Sequence, residues 1–246
     1  MIYELPDLNV RIMGSMHVVP TGKELPAWAL EAYDWCEELV FEADERALFH
    51  ALSPVTGYSL KDGVKSSTWD TLADAWPSEG PIPPIDAVQP WAVFLLSSVF
   101  AMETSDGIEP IFLRKAVADS KDVSYLETGA NIAAAFDQIP ISKIIEGLDE
   151  IAKDMGAGQK VMEAMYKAWI AKDIAALCNA ASRSPGFKHQ DVRRAILYLR
   201  NQLWAQQLKE VGQSKTRKLV AVGALHLHGP KNLLALLGYE PKSVRV

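Results

Sequence analysis

The sequence predicts one α/β domain, residues 1–246, in which strands from both ends of the chain share a sheet and a large helical section lies between them. Short apolar, β-branched runs that end in glycine occur near both termini, at Val10–Met13 and Leu219–Val222. Such runs are typical of buried strands. Between them, apolar residues recur at helical spacing, most clearly over 131–211. This order of elements favours a single sheet that joins the two termini.

The N-terminal half predicts two strands separated by a helix. The first strand leads through a loop with Pro20 to a helix that opens near Pro26, and a second strand follows at Leu39–Glu42. Residues 53–84 are rich in Gly, Pro, Ser and Thr and predict one short helix, Thr68–Trp76. This segment is either a flap over a site or an irregular connection.

The rest of the chain is predicted to be mostly helical, with two further inner strands. The helices are predicted over Trp91–Met102, Ile108–Ala118, Asn131–Ile139, Ser142–Met155, Gln159–Ala171, Ile174–Ala181, Gln190–Val211 and Pro230–Leu237. The strands are predicted at Val123–Glu127 and Leu219–Val222, with a short tail strand at Ser243–Val246.

Composition limits the classes of function. A chain of 246 residues, 49% of them hydrophobic, can bury a sizeable core. The net charge of -6 and the lack of a basic tract disfavour nucleic acid and anionic membranes as partners. The longest apolar stretch, Trp91–Met102, is too short to span a bilayer. No signal peptide is visible, and the two distant cysteines, Cys36 and Cys178, indicate a reducing compartment. We expect a cytoplasmic protein.

Two histidine motifs are the most informative features of the sequence. Gly14-Ser15-Met16-His17 follows the first strand, and Gly223-Ala224-Leu225-His226 follows the last inner strand. We expect the glycine to allow a sharp bend, so that the histidine projects from the strand end. Two other strands end in a carboxylate, at Glu42 and Glu127. Because ligands of open α/β sheets bind beyond the carboxyl ends of the strands, these four side chains predict a metal site.

The chemistry of such a site is that of a hydrolase. Imidazole and carboxylate groups suit Zn, Mn, Co or Fe(II), and a bound divalent ion activates water. The glutamate that is not a ligand can act as general base. We favour Glu42 as ligand and Glu127 as base, but the reverse assignment stays open. Arg200 either pairs with these glutamates or binds a substrate carboxylate or oxyanion.

Other polar residues have simpler explanations. Taken alone, His17 could be a structural histidine at a strand end, and its pairing with His226 is what favours a site. His228 is expected at the surface or behind the ligands, and His50 and His189 lie in segments without supporting motifs. Ser15 next to His17 invites a serine nucleophile, but neighbouring strand residues point apart and no activating partner is identifiable.

The chain resembles the TraB/GumN family in motifs that occur in order along nearly its whole length. The motifs are Gly14-Ser15-Met16-His17, Phe41-Glu42-Ala43-Asp44, Asp106-Gly107-Ile108-Glu109, Leu126-Glu127-Thr128, Arg200-Asn201 and Val222-Gly223-Ala224-Leu225-His226-Leu227-His228-Gly229-Pro230. The family includes pheromone-shutdown proteins, GumN proteins and the animal Tiki proteins. Its fold is similar to that of erythromycin esterase and ChaN-like proteins.

The resemblance implies a metal-dependent hydrolase, with peptidase activity in the Tiki branch. Carried over by motif, the metal ligands would be His17, Glu42, Glu127 and His226, with Arg200 and Asn201 as catalytic polar partners. The chain departs from the family pattern in two places. Ser15 stands where threonine is usual, and Asn131 stands where a glutamine is common. The second departure puts a substrate or supporting contact in doubt.

We therefore expect a divalent-metal hydrolase that acts on peptide or amide bonds of a peptide or small-molecule substrate. The alternative is a non-catalytic peptide-binding or signalling protein of the same fold. A closed cluster in which Arg200 bridges both glutamates would favour that alternative. A third possibility, haem binding, would need an exposed axial ligand, such as His228 or a tyrosine, and a wide apolar groove.

Overall fold

The computed structural model describes residues 1–5, 8–44, 52, 59–80, 82–211, 215–238 and 242–243. Eight strands occur in this part of the chain: β1 (Ile2–Leu5), β2 (Val10–Ser15), β3 (Val18–Pro20), β4 (Glu38–Ala43), β5 (Thr104–Asp106), β6 (Asp122–Glu127), β7 (Lys218–Gly223) and β8 (Lys242–Ser243). Six of them form one sheet in the order β6-β4-β7-β2-β1-β8. The sheet therefore unites both ends of the chain, as predicted.

The four strands β6, β4, β7 and β2 are parallel, with β6 at one edge of the sheet, and β1 and β8 add antiparallel pairs at the other edge. The parallel register aligns the strand ends. Ser15 at the end of β2 lies opposite Gly223 at the end of β7, and Ala43 at the end of β4 lies opposite Glu127 of β6. The residues that follow these strands therefore emerge along one edge of the sheet. β3 and β5 form a separate antiparallel pair beside it.

Twelve α-helices are numbered here in chain order within the described residues: α1 (Ala27–Trp35), α2 (Leu60–Gly63), α3 (Ser66–Ala75), α4 (Pro90–Phe100), α5 (Ile108–Asp119), α6 (Gly129–Phe136), α7 (Ile141–Lys153), α8 (Ala157–Ile170), α9 (Ile174–Ala181), α10 (Gln190–Arg193), α11 (Leu199–Val211) and α12 (Leu233–Leu237). Most begin and end within a few residues of the predicted bounds. No helix among the described residues is long and apolar enough to cross a membrane.

Helices cover both faces of the sheet. Alternate strand residues such as Met13 and Phe41 pack against α1, α5 and α8, with Trp169 fully buried among them. The intervening residues, such as Ile12 and Val220, face the opposite side and pack against Trp204 of α11 and against α12. This alternation follows from the period of two along a strand. A third apolar cluster lies within the helical section itself, between α3, α4, α6 and α7.

The long predicted helix Gln190–Val211 is interrupted. After α10, a π-helical turn spans Arg194–Tyr198, and α11 then continues from Leu199. Apolar spacing over this range does not distinguish a π turn from a continuous helix. The turn lies directly before Arg200 and Asn201, two of the predicted site residues, and π turns often occur at functional sites.

The described part of segment 53–84 forms a wall of the helical section. Lys65 and Thr68 donate hydrogen bonds to the two carboxylate oxygens of Asp149 on α7, each at 2.6 Å. Trp69 and Leu72 of α3 are buried in the helical cluster. Residues 59–80 and 82–84 therefore form a packed connection. Residues 53–58 and 81 lie outside the described part of the chain, so the flap interpretation stays a prediction for them.

Candidate active site

The carboxyl edge of the sheet brings four predicted residues together. His17 follows β2, Glu42 lies near the end of β4, and His226 follows β7 in a 3-10 turn, Ala224–Leu227. Nε2 of His17 lies 3.8 Å from Glu42 Oε1, and Nε2 of His226 lies 3.9 Å from the same oxygen. Arg200, from the first turn of α11, contacts this group from the helical side. Sequence reasoning thus placed these side chains in one cluster correctly.

The glycines of the two motifs provide space; the prediction that they provide a sharp bend is wrong. Gly223 has φ -49° and ψ 131°, which other residues also adopt, and Gly14 continues β2. A Cβ atom on Gly14 would lie 3.2 Å from the Cα atom of Ala224. A Cβ atom on Gly223 would lie 3.2 Å from His17 Nε2 and 3.3 Å from Glu42 Oε1. The missing Cβ of Gly223 thus leaves a small cradle in front of the cluster.

Asn201 determines the orientation of His226. Its amide nitrogen donates to the carbonyls of Lys231, at 3.0 Å, and of His226, at 3.4 Å. The amide oxygen therefore faces His226 Nδ1, 2.7 Å away, and accepts its proton. Because burial lowers the pKa of His226 to about 3, the ring is neutral at neutral pH and Nε2 carries a lone pair. His226 thus presents a basic nitrogen to the cradle.

Glu109 plays the corresponding part for His17, and sequence reasoning did not single it out as a site residue. Its Oε1 atom lies 3.1 Å from His17 Nδ1 and accepts a hydrogen bond from Ser15 Oγ at 2.6 Å. The Glu109 carboxylate raises the pKa of His17, more than burial lowers it, and Glu42 adds to the effect. The side chain of His17 is 58% exposed, so the cluster opens toward solvent at this residue. The quoted motif Asp106-Gly107-Ile108-Glu109 was the sequence signal for Glu109.

Glu42 is the central acceptor of the cluster. Its Oε1 atom accepts the backbone N–H of Gly223 at 2.5 Å, and its Oε2 atom accepts Arg200 Nη2 at 2.5 Å. Burial opposes ionisation of Glu42, but the charges of Arg200 and His17, together with the Gly223 N–H, hold its pKa well below its usual range. Glu42 is therefore a carboxylate at neutral pH.

Arg200 bridges the two glutamates. Its Nε atom donates to Glu127 Oε1 at 2.8 Å, and its Nη2 atom donates to Glu127 as well as to Glu42. Its Nη1 atom contacts the carbonyl of Ile196 at 3.3 Å and His226 Nε2 at 3.5 Å. All three nitrogens of the guanidinium are thus engaged inside the protein. The pairing interpretation of Arg200 is the one that the geometry bears out.

Glu127 is buried more deeply than Glu42. Its side chain has no exposed area, and its Oε2 atom has no hydrogen-bond partner among the described residues. Burial raises the pKa of Glu127 above its usual value, although Arg200 opposes the shift. Because its other oxygen faces Arg200, Glu127 is connected to the cluster through the guanidinium.

Aromatic rings enclose the buried half of the site. The Trp204 ring lies 4.4 Å from the His226 ring and 4.6 Å from the Arg200 guanidinium carbon, measured between centres. Phe136, at the end of α6, lies 5.7 Å from the same carbon. Phe136 also lines a cavity of about 710 Å³ whose other walls include Trp69, Trp91 and Ile144. The helical section thus supplies one wall of the site, and Phe136 also lines a neighbouring cavity with both apolar and polar walls.

The donor set has the chemistry of a divalent-metal site, but its spacing is slightly open. As the side chains stand, no group of three or more His, Cys, Asp or Glu within the described ranges could hold a metal ion. The separations of 3.8 and 3.9 Å compare with about 3.4 Å between neighbouring ligands of tetrahedral zinc. The two Nε2 atoms and the Glu42 carboxylate oxygen are donor types that such ions bind, and the missing Cβ of Gly223 leaves space beside them, but His17, whose pKa Glu109 raises, has to lose a proton before it can be a ligand. Glu127, held by Arg200, lies outside this set.

Several residues discounted at the sequence level lie away from the cluster or have other contacts. His228 is exposed after the 3-10 turn, and His189 Nε2 lies 3.9 Å from Glu146. His50 lies outside the described residues. Ser15 donates a hydrogen bond to Glu109, the partner that the sequence did not identify for a serine nucleophile. Because Ser15 is buried, however, its hydroxyl is not accessible to a substrate. Asn131, at the position where glutamine is common, forms a capping box with Thr128.

The fold and the site define an α/β protein with a His/Glu/Arg cluster at the carboxyl ends of its parallel strands. Residues 2–245 match the model of the TraB/PrgY/gumN family, so the chain belongs to that family. The chain is 24% identical over 251 residues to the uncharacterized protein YbaP of Escherichia coli (strain K12) and to the YbaP protein of Shigella flexneri. Each match covers 96% of this chain and 93% of the relative.

No solved structure matches the chain. The expected likeness of the fold to erythromycin esterase and ChaN-like proteins therefore stays a prediction. The α/β class and the sheet that unites both termini rest on the strand order itself.

Proposed function

We propose that the protein is a divalent-metal-dependent hydrolase of peptide or amide bonds, with His17, Glu42 and His226 as the metal ligands. The observation that carries the proposal is the convergence of two Nε2 atoms on one carboxylate oxygen, in the space left free by Gly223. Each histidine engages its Nδ1 atom elsewhere, as metal-binding histidines do. The exposure of His17 leaves an open side for water and substrate.

The ligand chemistry suits Mn, Co, Zn or Fe(II). Such an ion, when bound, lowers the pKa of a coordinated water and polarises a carbonyl group, which is what hydrolysis of an amide requires. We assign Arg200 and Glu127 positioning roles. Arg200 draws Glu42 Oε2 away from the cradle and so leaves Oε1 facing the histidines, while Glu127 holds the guanidinium. Asn201 has the same kind of role for His226.

We further propose that the substrate places an apolar group in the cavity beside Phe136. The cavity, at about 710 Å³, has the size of a small-ligand pocket; Trp69, Trp91 and Phe136 give it an apolar part, and polar residues such as Asp86 and Gln138 line the rest. A cytoplasmic location also stays our proposal, and the free thiols of Cys36 and Cys178 support it.

A second candidate function is peptide binding without turnover, as a binding or signalling protein. The bridging of Glu42 and Glu127 by Arg200 favours it, because an internal cation already neutralises both carboxylates. The two candidates differ in a measurable way: the hydrolase needs a divalent ion at His17 and His226, whereas the binding protein does not.

Metal content tests the proposal. We expect the protein, purified without chelator, to carry or take up about one Mn, Co, Zn or Fe ion per chain. The double variant His17→Ala/His226→Ala should lose it, while His228→Ala, an exposed histidine two residues from His226, should retain it. The loaded protein should then cleave members of a peptide library. If neither wild type nor variant binds a divalent ion, the hydrolase proposal fails. Metal uptake without cleavage would favour the binding protein.

A further inference from the structure

The motif Asp106-Gly107-Ile108-Glu109 contributes no ligand to the proposed site, yet it holds the backbone that carries His17. Val18 of β3 pairs with Asp106 of β5, so the strand after His17 is bound to the start of the motif. The backbone N–H of Gly107 donates to the carbonyl of His17 at 3.1 Å, and that of Ile108 donates to the carbonyl of Met16 at 3.0 Å. The first residues of α5 therefore dock on the chain at Met16 and His17.

This docking requires glycine at position 107. A Cβ atom there would lie 2.0 Å from the carbonyl oxygen of Met16 and 2.5 Å from the carbonyl carbon of His17. Both neighbours are backbone atoms in hydrogen-bonded positions, so they cannot move aside as a flexible side chain could. The contact brings the first turn of α5, and with it Glu109, to the ring of His17.

Glu109 reaches His17 on the side away from Glu42. One of its oxygens lies 3.1 Å from Nδ1 of His17 and accepts the hydroxyl of the buried Ser15 at 2.6 Å. A carboxylate accepts hydrogen bonds and cannot donate them, so the nitrogen that faces it must carry the proton. In the neutral ring the other nitrogen, Nε2, then carries the lone pair, and it lies 3.8 Å from Glu42 Oε1.

We propose that the 106–109 motif is a positioning element for His17: Gly107 seats α5 on the chain, and Glu109 holds the neutral imidazole as its Nδ1–H tautomer with Nε2 toward the cradle. Ser15 restrains the carboxylate through their shared hydrogen bond. Asn201 does the same for His226, but with a neutral amide. The inference rests on the proposed function only for its consequence, which is that Glu109 supports metal binding through His17.

Tautomers are measured directly by long-range ¹H–¹⁵N NMR of the imidazole rings in the metal-free protein. Because the pKa of His17 is raised to about 9, the spectra are recorded at about pH 10.5, where the ring is neutral. His17→Ala assigns the signals. We expect wild-type His17 as the Nδ1–H tautomer and Glu109→Ala as a mixture in which Nε2–H is present. Glu109→Gln should retain the wild-type tautomer, because its amide oxygen also accepts from Nδ1–H. His226, held by Asn201, is the internal control and should not change in any variant.

A wild-type His17 in the Nε2–H form, or an unchanged tautomer in Glu109→Ala, would overturn the inference. If Glu109→Ala also changes the His226 signals, it has lost local structure, and the tautomer of wild-type His17 then decides the inference by itself. Titration with Co²⁺ gives the second readout. If wild type binds Co²⁺, Glu109→Ala should bind it about 10–100-fold more weakly and Glu109→Gln should recover part of the loss.

The two readouts separate the failure of this inference from the failure of the proposed function. If wild type binds no divalent ion, the hydrolase proposal fails, and the tautomer measurement still decides whether Glu109 orients His17. If wild type binds Co²⁺ but Glu109→Ala binds it equally well and keeps its tautomer, only the positioning role fails.

Discussion

At the residue scale, the site depends on which nitrogen of each histidine is already engaged. Asn201 accepts from Nδ1 of His226, and Glu109 accepts from Nδ1 of His17. Both rings therefore direct Nε2 toward the same oxygen of Glu42. Arg200 takes the other oxygen of Glu42 and is itself held by Glu127. The residues around the cradle thus determine the direction of three donor atoms before any ligand enters.

Replacing Asn201 with alanine should destabilise the protein by about 1–3 kcal/mol, since it leaves a buried Nδ1–H of His226 and the carbonyl of Lys231 without their partner. Urea denaturation measures the free energy of unfolding. Gln202→Ala, at the neighbouring exposed position of α11, is the control and should change it by less than about 0.5 kcal/mol. Equal values for the two variants would contradict the buried network.

Gly223→Ala tests the cradle. The added methyl group would lie 3.2 Å from His17 Nε2 and 3.3 Å from Glu42 Oε1, so it occupies the space in which we propose the ion binds. We expect at least a tenfold loss of Co²⁺ affinity, about 1.4 kcal/mol, measured by calorimetric titration. Gly156→Ala adds the same group where the nearest atom beyond the adjoining residues, Asp154 Oδ1, is 3.5 Å away, and should bind like wild type. Unchanged affinity in Gly223→Ala would exclude this location for the ion.

At the scale of elements, each site residue is held at a helix or strand end. The π turn Arg194–Tyr198 precedes the first turn of α11, from which Arg200 and Asn201 project. The capping box at Thr128 starts α6 immediately after Glu127, and α6 ends at Phe136, beside Arg200. Asn131 accepts the backbone N–H of Thr128 at 3.0 Å, and Thr128 Oγ1 accepts that of Asn131 at 3.3 Å. The residue that departs from the family pattern therefore has a structural role.

Thr128→Ala should lower the free energy of unfolding by about 1 kcal/mol, because it removes one half of the capping box. Asn131→Ala should cost a similar amount. The double variant should cost less than the sum of the two, since each single change already breaks the reciprocal pair. Chemical denaturation of the four proteins completes this cycle. Additive effects would show that the two side chains stabilise α6 independently.

At the scale of the whole molecule, a sheet covered by helices on both faces adjoins a helical section with its own apolar cluster. The site lies where the two meet: strands supply His17, Glu42 and Glu127, and the helical section supplies Arg200 and Phe136. The connection that contains α3 is bound to α7 by Lys65 and Thr68, which both donate to Asp149. Packing of the helical section is therefore partly electrostatic.

The pH dependence of stability tests this contact. The hydrogen bond from Lys65, followed by that from Thr68, lowers the pKa of Asp149. A lowered carboxyl pKa means that the contribution is present above the unfolded pKa of Asp, about 3.9, and is lost as pH falls through the folded value. Asp149→Asn should cost about 1 kcal/mol at neutral pH and show a smaller loss between about pH 4 and pH 2 than wild type.

Asp70→Asn, the same charge change at an exposed position of α3, is the matched control and should follow the wild-type curve. If both variants lose stability on acidification in the same way as wild type, Asp149 does not contribute to the acid sensitivity of the fold.

The sequence predicts best those structural features whose residue pattern lies within one short stretch of the chain. Strands are short apolar runs, so β2, β4, β6 and β7 are predicted nearly to the residue, although β6 proves to be a partly exposed edge strand. β1 is missed because four residues, Ile2–Leu5, are too few to show a pattern. The π turn is missed because its apolar spacing is close to that of an α-helix. Contacts between distant segments leave no local signal at all.

The sequence by itself determined the α/β class, the sheet shared by both termini and the set of residues at its carboxyl edge, because these follow from periodicity and from the geometry of parallel strands. The tertiary structure decided which of those residues touch. Arg200 could be placed on both glutamates, Glu109 on His17 and the missing Cβ of Gly223 in front of His17 only when segments about 70 to 210 positions apart were packed together. Side-chain partners at such separations are determined by packing, and packing has no periodicity along the chain.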